Sequence, residues 1–323
     1  MLRRLFIVLS LLAACAPAIG QEKAKAKQRV APPRPTPTVA DYAYGKDHER
    51  QRFDFWQAKS DKPTPVALLI HGGGWVNGDK TTYGASAIQP LLDQGISVAS
   101  INYRYIQQGM EQKVEPPVKA CLYDAARALQ TIRSKASEWN LDRTRVGATG
   151  GSAGACTSLW LALHNDLADP KSSDPIARQS TRLTCAAVNG AQTSLDPKEL
   201  REWIPNSIYG GHAFGFAAPG RSRAEEFDLL IANREKVMPW IKEYSPIELV
   251  SSDDPPIMLY YANQKTPPKV GQKETDPTHS AMYGVKLAEK LQSAGVEAVL
   301  VYPGHENSKY DSINAFLIAK LKQ

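Results

Sequence analysis

Residues 145–164 read RVGATGGSAGACTSLWLALH. The first part has the composition of a short buried strand. Gly150-Gly151-Ser152-Ala153-Gly154 then fits the pattern G-x-S-x-G, and an apolar helical segment follows. A serine on a sharp strand-to-helix turn projects its hydroxyl above the sheet. The glycines two residues to either side are needed because side chains there would collide. The helix N-terminus behind Ser152 also favours negative charge. Glycine and serine are common, so the five residues alone carry little weight. The strand before them and the helix after them give the reading its force. They make Ser152 a candidate nucleophile.

The rest of the chain repeats the alternation of strand and helix. QRFDFWQ, VALLIH, ISVASINYRY, RVGATG, TCAAVNG, PPIMLYYAN and EAVLVYPG are apolar runs of strand length. Several lack polar alternation, as strands buried on both faces should. Between them lie amphipathic segments. Val118, Leu122, Ala125, Leu129, Ile132 and Ala136 share one helical face. A second helix carries Leu287, Leu291 and Ala294 and stops at Gly295, and a last one carries Ile313, Phe316, Leu317 and Leu321. This order predicts an α/β fold with a mostly parallel sheet covered on both faces. Residues 193–248 interrupt it with turns and aromatics and are expected to form a small cap over the sheet.

A second glycine-rich stretch, HGGGWVNGDK, spans His71 to Lys80 at the end of VALLI. A serine nucleophile attacking a carbonyl needs backbone N–H groups aimed at the tetrahedral oxyanion. A single such donor contributes roughly 3–4 kcal/mol in known cases. One donor should be Ala153, the residue after the nucleophile, and Gly73 and Gly74 are the candidates for the others. A phosphate loop is the competing reading, because Gly73 and Gly78 precede Asp79-Lys80-Thr81. The inserted aspartate breaks the required G-K-[ST]. His71 is expected to hold the loop rather than to act as a base.

A serine hydroxyl also needs a histidine base oriented by a carboxylate. Of six histidines, His48, His71, His164 and His212 lie in unsuitable places: before the first strands, in the glycine loop, at the far end of the serine helix, and in the cap. His305 directly follows the strand EAVLVYPG and precedes the final helix, so it is the expected base, with His279 second. Asp276 precedes the helix between the last two strands and is the expected acid, with Glu274 close by. A turn or helix-entry aspartate reads almost equally well there.

Composition sets the frame. The chain has 323 residues, 42% hydrophobic and 22% charged, and a net charge of +6, which suits a globular protein with a substantial core. Residues 1–37 hold seven positive side chains and one negative. The remainder is therefore neutral overall and offers no electrostatic footprint for nucleic acid. MLRRLFIVLSLLAAC reads as a signal peptide over residues 1–20, too short to span a membrane. Cleavage before Gln21 gives an exported protein. The alternative is a lipid anchor on Cys15, within LAAC. Residues 21–40 read as a basic, proline-rich disordered linker, and the domain is expected over 41–323. Cys121, Cys156 and Cys185 fit no metal or redox spacing. They read as buried thiols, with a Cys156–Cys185 bridge as the alternative.

LLIHGGGWVNGDK, INYRY, EPPVKACLYDAARALQTIR, RVGATGGSAGA, SPIELVSSDDPPIML and VYPGHEN together resemble the HGGG-type carboxylesterase branch of the α/β-hydrolase fold. That branch includes hormone-sensitive-lipase-like enzymes and enzymes similar to bacterial feruloyl and acetyl-xylan esterases. The resemblance runs from about Tyr42 to the C-terminus. It implies a serine esterase acting through an acyl-enzyme, with Ser152 as nucleophile, Asp276 as acid and His305 as base. Gly73, Gly74 and Ala153 would form the oxyanion hole, and no metal or organic cofactor would be required. Two features depart from the family pattern: a longer loop before the aspartate and a shorter one around the histidine. A prolyl-oligopeptidase-type peptidase and a non-catalytic binding protein of the same fold are the alternatives.

Overall fold

In a computed structural model of the chain, residues 32–306 and 309–323 are described. The expected signal peptide, Cys15 and most of the linker lie outside them. Eight strands form one sheet: β1 (Val39–Ala43), β2 (Arg52–Trp56), β3 (Thr64–Ile70), β4 (Ser97–Ile101), β5 (Leu141–Gly151), β6 (Cys185–Asn189), β7 (Ile257–Tyr260) and β8 (Ala298–Val301). Their order is β1-β2-β4-β3-β5-β6-β7-β8. β2 runs antiparallel to β1 and β4, and every pairing from β4 through β8 is parallel. This is the expected α/β-hydrolase sheet.

Nine helices accompany it among the described residues: α1 (Ala85–Asp93), α2 (Ile106–Glu111), α3 (Val118–Ser134), α4 (Ala153–Leu163), α5 (Pro197–Trp203), α6 (Arg223–Ala232), α7 (Arg234–Tyr244), α8 (Met282–Ser293) and α9 (Ile313–Leu321). The two faces of β3 show why its apolar run is continuous. Val66, Leu68 and Ile70 join the core beneath α3, α4 and α8, while Ala67 and Leu69 join the one beneath α1 and α9. A strand buried on both faces has no polar position to alternate with. α4 is buried along its whole length, consistent with its apolar sequence.

The insertion between β6 and β7 contains α5, α6 and α7. Leu200, Trp203, Tyr209, Phe214 and Phe227 pack into the same core as α4. The cap aromatics therefore build the insertion and tie it to the serine helix. Cys121, Cys156 and Cys185 are buried free thiols. Cys156 and Cys185 belong to the cores on opposite faces of the sheet, so they do not form a bridge.

Two expectations are corrected at the N-terminal edge. β1 has no counterpart among the seven strand candidates, because VADYA is short and mostly exposed. The linker was also expected to reach residue 40, yet residues 32–40 pack on the domain. Arg34 donates to Asp54 Oδ2 at 3.0 Å, Lys80 O at 3.0 Å and Tyr83 O at 3.1 Å, and its guanidinium lies 4.5 Å from the Trp56 ring centre. Trp56 Nε1–H donates to Pro35 O at 2.8 Å. One arginine with several buried acceptors fixes a segment whose composition lacks apolar bulk. Arg34→Ala should lower stability by about 1–2 kcal/mol, the worth of charge-assisted hydrogen bonds at a buried carboxylate. Urea unfolding checks this, and an unchanged midpoint would show that the segment contributes nothing.

Candidate active site

β5 ends at Gly151 and α4 begins at Ala153, so Ser152 alone makes the turn. Its backbone sits at φ 53 and ψ −122, a conformation that costs a non-glycine residue on the order of 1–3 kcal/mol. Its neighbours make the turn obligatory. A Cβ on Gly150 would lie 2.4 Å from the Gly154 carbonyl carbon, and one on Gly154 would lie 2.0 Å from Ile70 O. The Ser152 N–H donates to Asn189 O at 3.0 Å, which ties the turn to the end of β6.

The glycine loop leaves β3 beside this turn. Ile70 pairs with Gly150 in the sheet, and a Cβ on Gly72 would lie 3.3 Å from Ser152 Cβ. Gly73 and Gly74 both take positive φ, 99 and 60. The loop folds on itself through Val76 N–H and Asn77 N–H, which donate to Gly73 O at 3.0 and 3.1 Å. Among the described residues, the N–H groups of Gly73, Gly74 and Ala153 make no protein hydrogen bond. Free donors at a helix start and in a glycine loop suit an anion.

His71 holds the loop, as expected. It is buried and stacked on Tyr103 at 4.3 Å between ring centres. Its Nε2 faces Arg50 Nη2 at 3.3 Å, and its Nδ1 faces Gly72 O at 2.8 Å. A guanidinium only donates, so Nε2 is the acceptor and Nδ1 carries the proton. Burial pushes this imidazole down to about 4, with Arg50 acting in the same direction and the Gly72 carbonyl against it.

The histidine against Ser152 is His279. Its Nε2 lies 3.0 Å from Ser152 Oγ, and its Nδ1 lies 2.8 Å from Asp276 Oδ2. Asp276 and His279 share one turn ahead of α8. The His279 N–H and the Thr278 N–H both donate to Asp276 Oδ1, at 3.3 and 3.2 Å. Gly190 makes room for the ring, since a Cβ there would lie 3.3 Å from His279 Cδ2. Gln192 Nε2 donates to Thr278 O at 2.6 Å and anchors the turn to the end of β6.

His305 is the expectation that the structure corrects. Tyr302 and His305 close a tight turn through paired main-chain bonds, with Gly304 at φ 84. The turn folds the ring of His305 back onto Tyr302, 5.0 Å between centres, and leaves it exposed. It does not reach Ser152. Glu274, the alternative acid, serves the long loop instead. Its carboxylate accepts from Gln264 Nε2 and Ser280 Oγ at 3.2 Å, and Gln264 Oε1 accepts from Ala281 N–H at 2.8 Å. These bonds carry the chain from β7 back to Asp276. The signal that could have found His279 is the spacing D-P-T-H, which lets one turn supply both groups.

A cleft of about 620 Å³ opens over Ser152 and His279. Gly72, Gly151, Asn189, Tyr83, Asn263 and Asn314 are among the residues that line it. Its size is in the range of small-molecule sites. A hydroxyl, an imidazole and a carboxylate in series beside free N–H donors can perform acyl transfer.

A family model named BD-FAE matches residues 54–274. The chain is 25% identical over 227 residues to esterase LipC of Mycobacterium tuberculosis, covering 68% of this chain and 49% of that protein. It is 29% identical over 141 residues to a probable isoprenylcysteine alpha-carbonyl methylesterase of Arabidopsis thaliana, covering 43% and 28%. It therefore spans about half the length, or less, of these curated relatives. A truncated carbohydrate esterase from gut microbiota superposes with a TM-score of 0.63 at 18% identity, covering 88% of this chain and 96% of that one. An acetyl ester-xyloside bifunctional hydrolase from Caldicellulosiruptor lactoaceticus gives 0.56 at 23%, covering 78% and 76%. These likenesses establish the fold.

The buried histidines make the site acid-sensitive. His71 titrates near 4 and His212, in the cap, near 3, against 6.5 for a free imidazole. Both are depressed, so the unfolded chain takes up protons first as pH falls. Their contribution is complete above about pH 6.5 and is lost progressively between about 6.5 and 4 for His71, and down to about 3 for His212. Urea midpoints should fall between pH 7 and 5, and less steeply in His71→Gln. A flat profile over that interval would contradict this.

Proposed function

The chain belongs to the BD-FAE family, and from that premise we propose that it is a serine hydrolase that cleaves carboxylic esters through an acyl-enzyme. One observation carries the reading: the series Ser152 Oγ, His279 Nε2, His279 Nδ1 and Asp276 Oδ2, with contacts of 3.0 and 2.8 Å. Ser152 attacks the ester carbonyl while His279 Nε2 takes its proton. Asp276 holds the Nδ1–H and stabilises the imidazolium that forms. Gly73, Gly74 and Ala153 donate to the oxyanion. His279 then gives its proton to the leaving alkoxide, and water activated by the same imidazole releases the acid.

Acetyl or feruloyl esters of carbohydrates are the substrates we propose. Carbohydrate and acetyl ester hydrolases among the structural neighbours support this class, and so does a cleft with room for more than a small acyl group. Export, with Cys15 lipidation as the alternative, remains our reading of residues 1–20. Cell fractionation with a C15S control separates the two routes.

The test is turnover of p-nitrophenyl acetate, acetylated xylan and feruloyl esters. Ser152→Ala and His279→Ala should each lose at least about a thousandfold in kcat, while His305→Ala stays within about threefold of wild type. An active Ser152→Ala protein, or an inactive wild type across the panel, contradicts the esterase reading. Loss with His305→Ala but not with His279→Ala would reassign the base.

A further inference from the structure

The cap delivers a buried histidine, beside Tyr209, to the back of the glycine loop. His212 lies in a short 3-10 turn, Gly211–Phe214, and is 1% exposed. The turn is pinned in place. Gly210 and Gly215 flank it at φ 112 and 84, and a Cβ on Gly211 would lie 2.4 Å from Glu226 O in α6. The main chain of the turn therefore rests directly on α6, and the imidazole points towards the loop.

There it meets Trp75 at 6.0 Å and Tyr209 at 5.0 Å between ring centres. A Cβ on Gly74 would lie 3.9 Å from His212 Nε2, so the ring faces the open side of Gly74. Burial, and then Arg223, push the imidazole towards its neutral form, and the main chain of Gly74 opposes them. Neither ring nitrogen has a hydrogen-bond partner among the described residues. Trp75 is fixed from the other side, where its Nε1–H donates to Thr157 Oγ1 of α4 at 3.0 Å. The Gly74–Trp75 peptide therefore sits between the serine helix and the cap histidine.

We propose that His212 is a positioning residue for this loop: from the cap, its unpartnered imidazole closes on the Gly74 main chain as the tetrahedral species forms and keeps the Gly74 N–H directed at the reacting carbonyl oxygen. The proposal rests on the reading of Gly74 as an oxyanion donor. A benzene ring would fill the same space and hold nothing. A side-chain amide would restore a donor. Hydrogen bonds of this kind are often loose in a resting enzyme and tighten when the tetrahedral species forms.

The experiment compares His212→Phe with His212→Gln in the full chain, using p-nitrophenyl acetate and, as a tetrahedral mimic, phenylboronic acid. In His212→Phe, kcat should fall roughly tenfold or more with KM within about threefold, and boronic acid affinity should fall by the same factor as kcat. In His212→Gln both should return to within about threefold of wild type. Unchanged kcat in the Phe variant, equal losses in Phe and Gln, or a change in KM alone would each overturn the proposal. In wild type, 15N resonances of the ring should report one neutral tautomer between pH 5 and 8 that shifts when phenylboronic acid binds. A ring that exchanges tautomers or ignores the ligand would also overturn it. This measurement holds even where the variants fold poorly. An inactive wild type would remove the esterase reading itself, whereas an active wild type with silent His212 variants would remove only this proposal.

Discussion

The site depends on one close approach of main chain to main chain. Gly154 lies so near the ends of β3 that a Cβ would sit 2.0 Å from Ile70 O and 2.5 Å from His71 O. Ile70 and Gly150 are neighbours in the parallel ladder. Together these contacts bring the start of α4 and the start of the glycine loop to one place. The strained Ser152 backbone persists because the packing on both sides leaves it no alternative. A single methyl group at Gly154 would separate the hydroxyl from the donors that should serve it.

Around this junction each neighbouring element holds one part. Arg50, from the β1–β2 connection, donates to Gly78 O at 3.0 Å and Tyr103 O at 2.9 Å, and it braces His71. The end of β6 supplies Asn189 to the serine turn and space at Gly190 for the imidazole. The loop after β7 supplies both remaining polar groups of the series. The cap reaches the glycine loop through His212 and Tyr209, whose rings meet Trp75 of that loop. The insertion is therefore part of the scaffold of the site, packed behind the glycine loop, and none of residues 193–248 lines the cleft over Ser152.

The elbow and the glycine loop were legible in the sequence because each requires glycines at fixed positions. At Gly72, Gly73, Gly150 and Gly154 a Cβ would strike backbone atoms, and at Gly74 the positive φ favours glycine. The strands from β2 onward were legible from apolar runs. The base was not. Chain order and a strand-end position both point to His305, and order is equally satisfied by His279. What decides is that Gly304 and the Tyr302–His305 bridge turn His305 away, while Gln264 and Glu274 fold a long loop back to place Asp276 and His279. One is a local turn that no residue pattern announces, and the other is a set of bonds across a separation of 10 residues, from Gln264 to Glu274. β1 and residues 32–40 were missed for a related reason. Their attachment comes from Arg34 and the paired edge of the sheet, and composition reports neither.

The central claim is that Ser152 is a nucleophile activated by His279. Covalent labelling with a fluorophosphonate, followed by peptide mapping, addresses it most directly. One adduct is expected, on Ser152 within the tryptic peptide Val146–Lys171, and labelling should collapse when His279 is replaced by alanine. An adduct on another residue, no adduct at all, or undiminished labelling of Ser152 without His279 would contradict it.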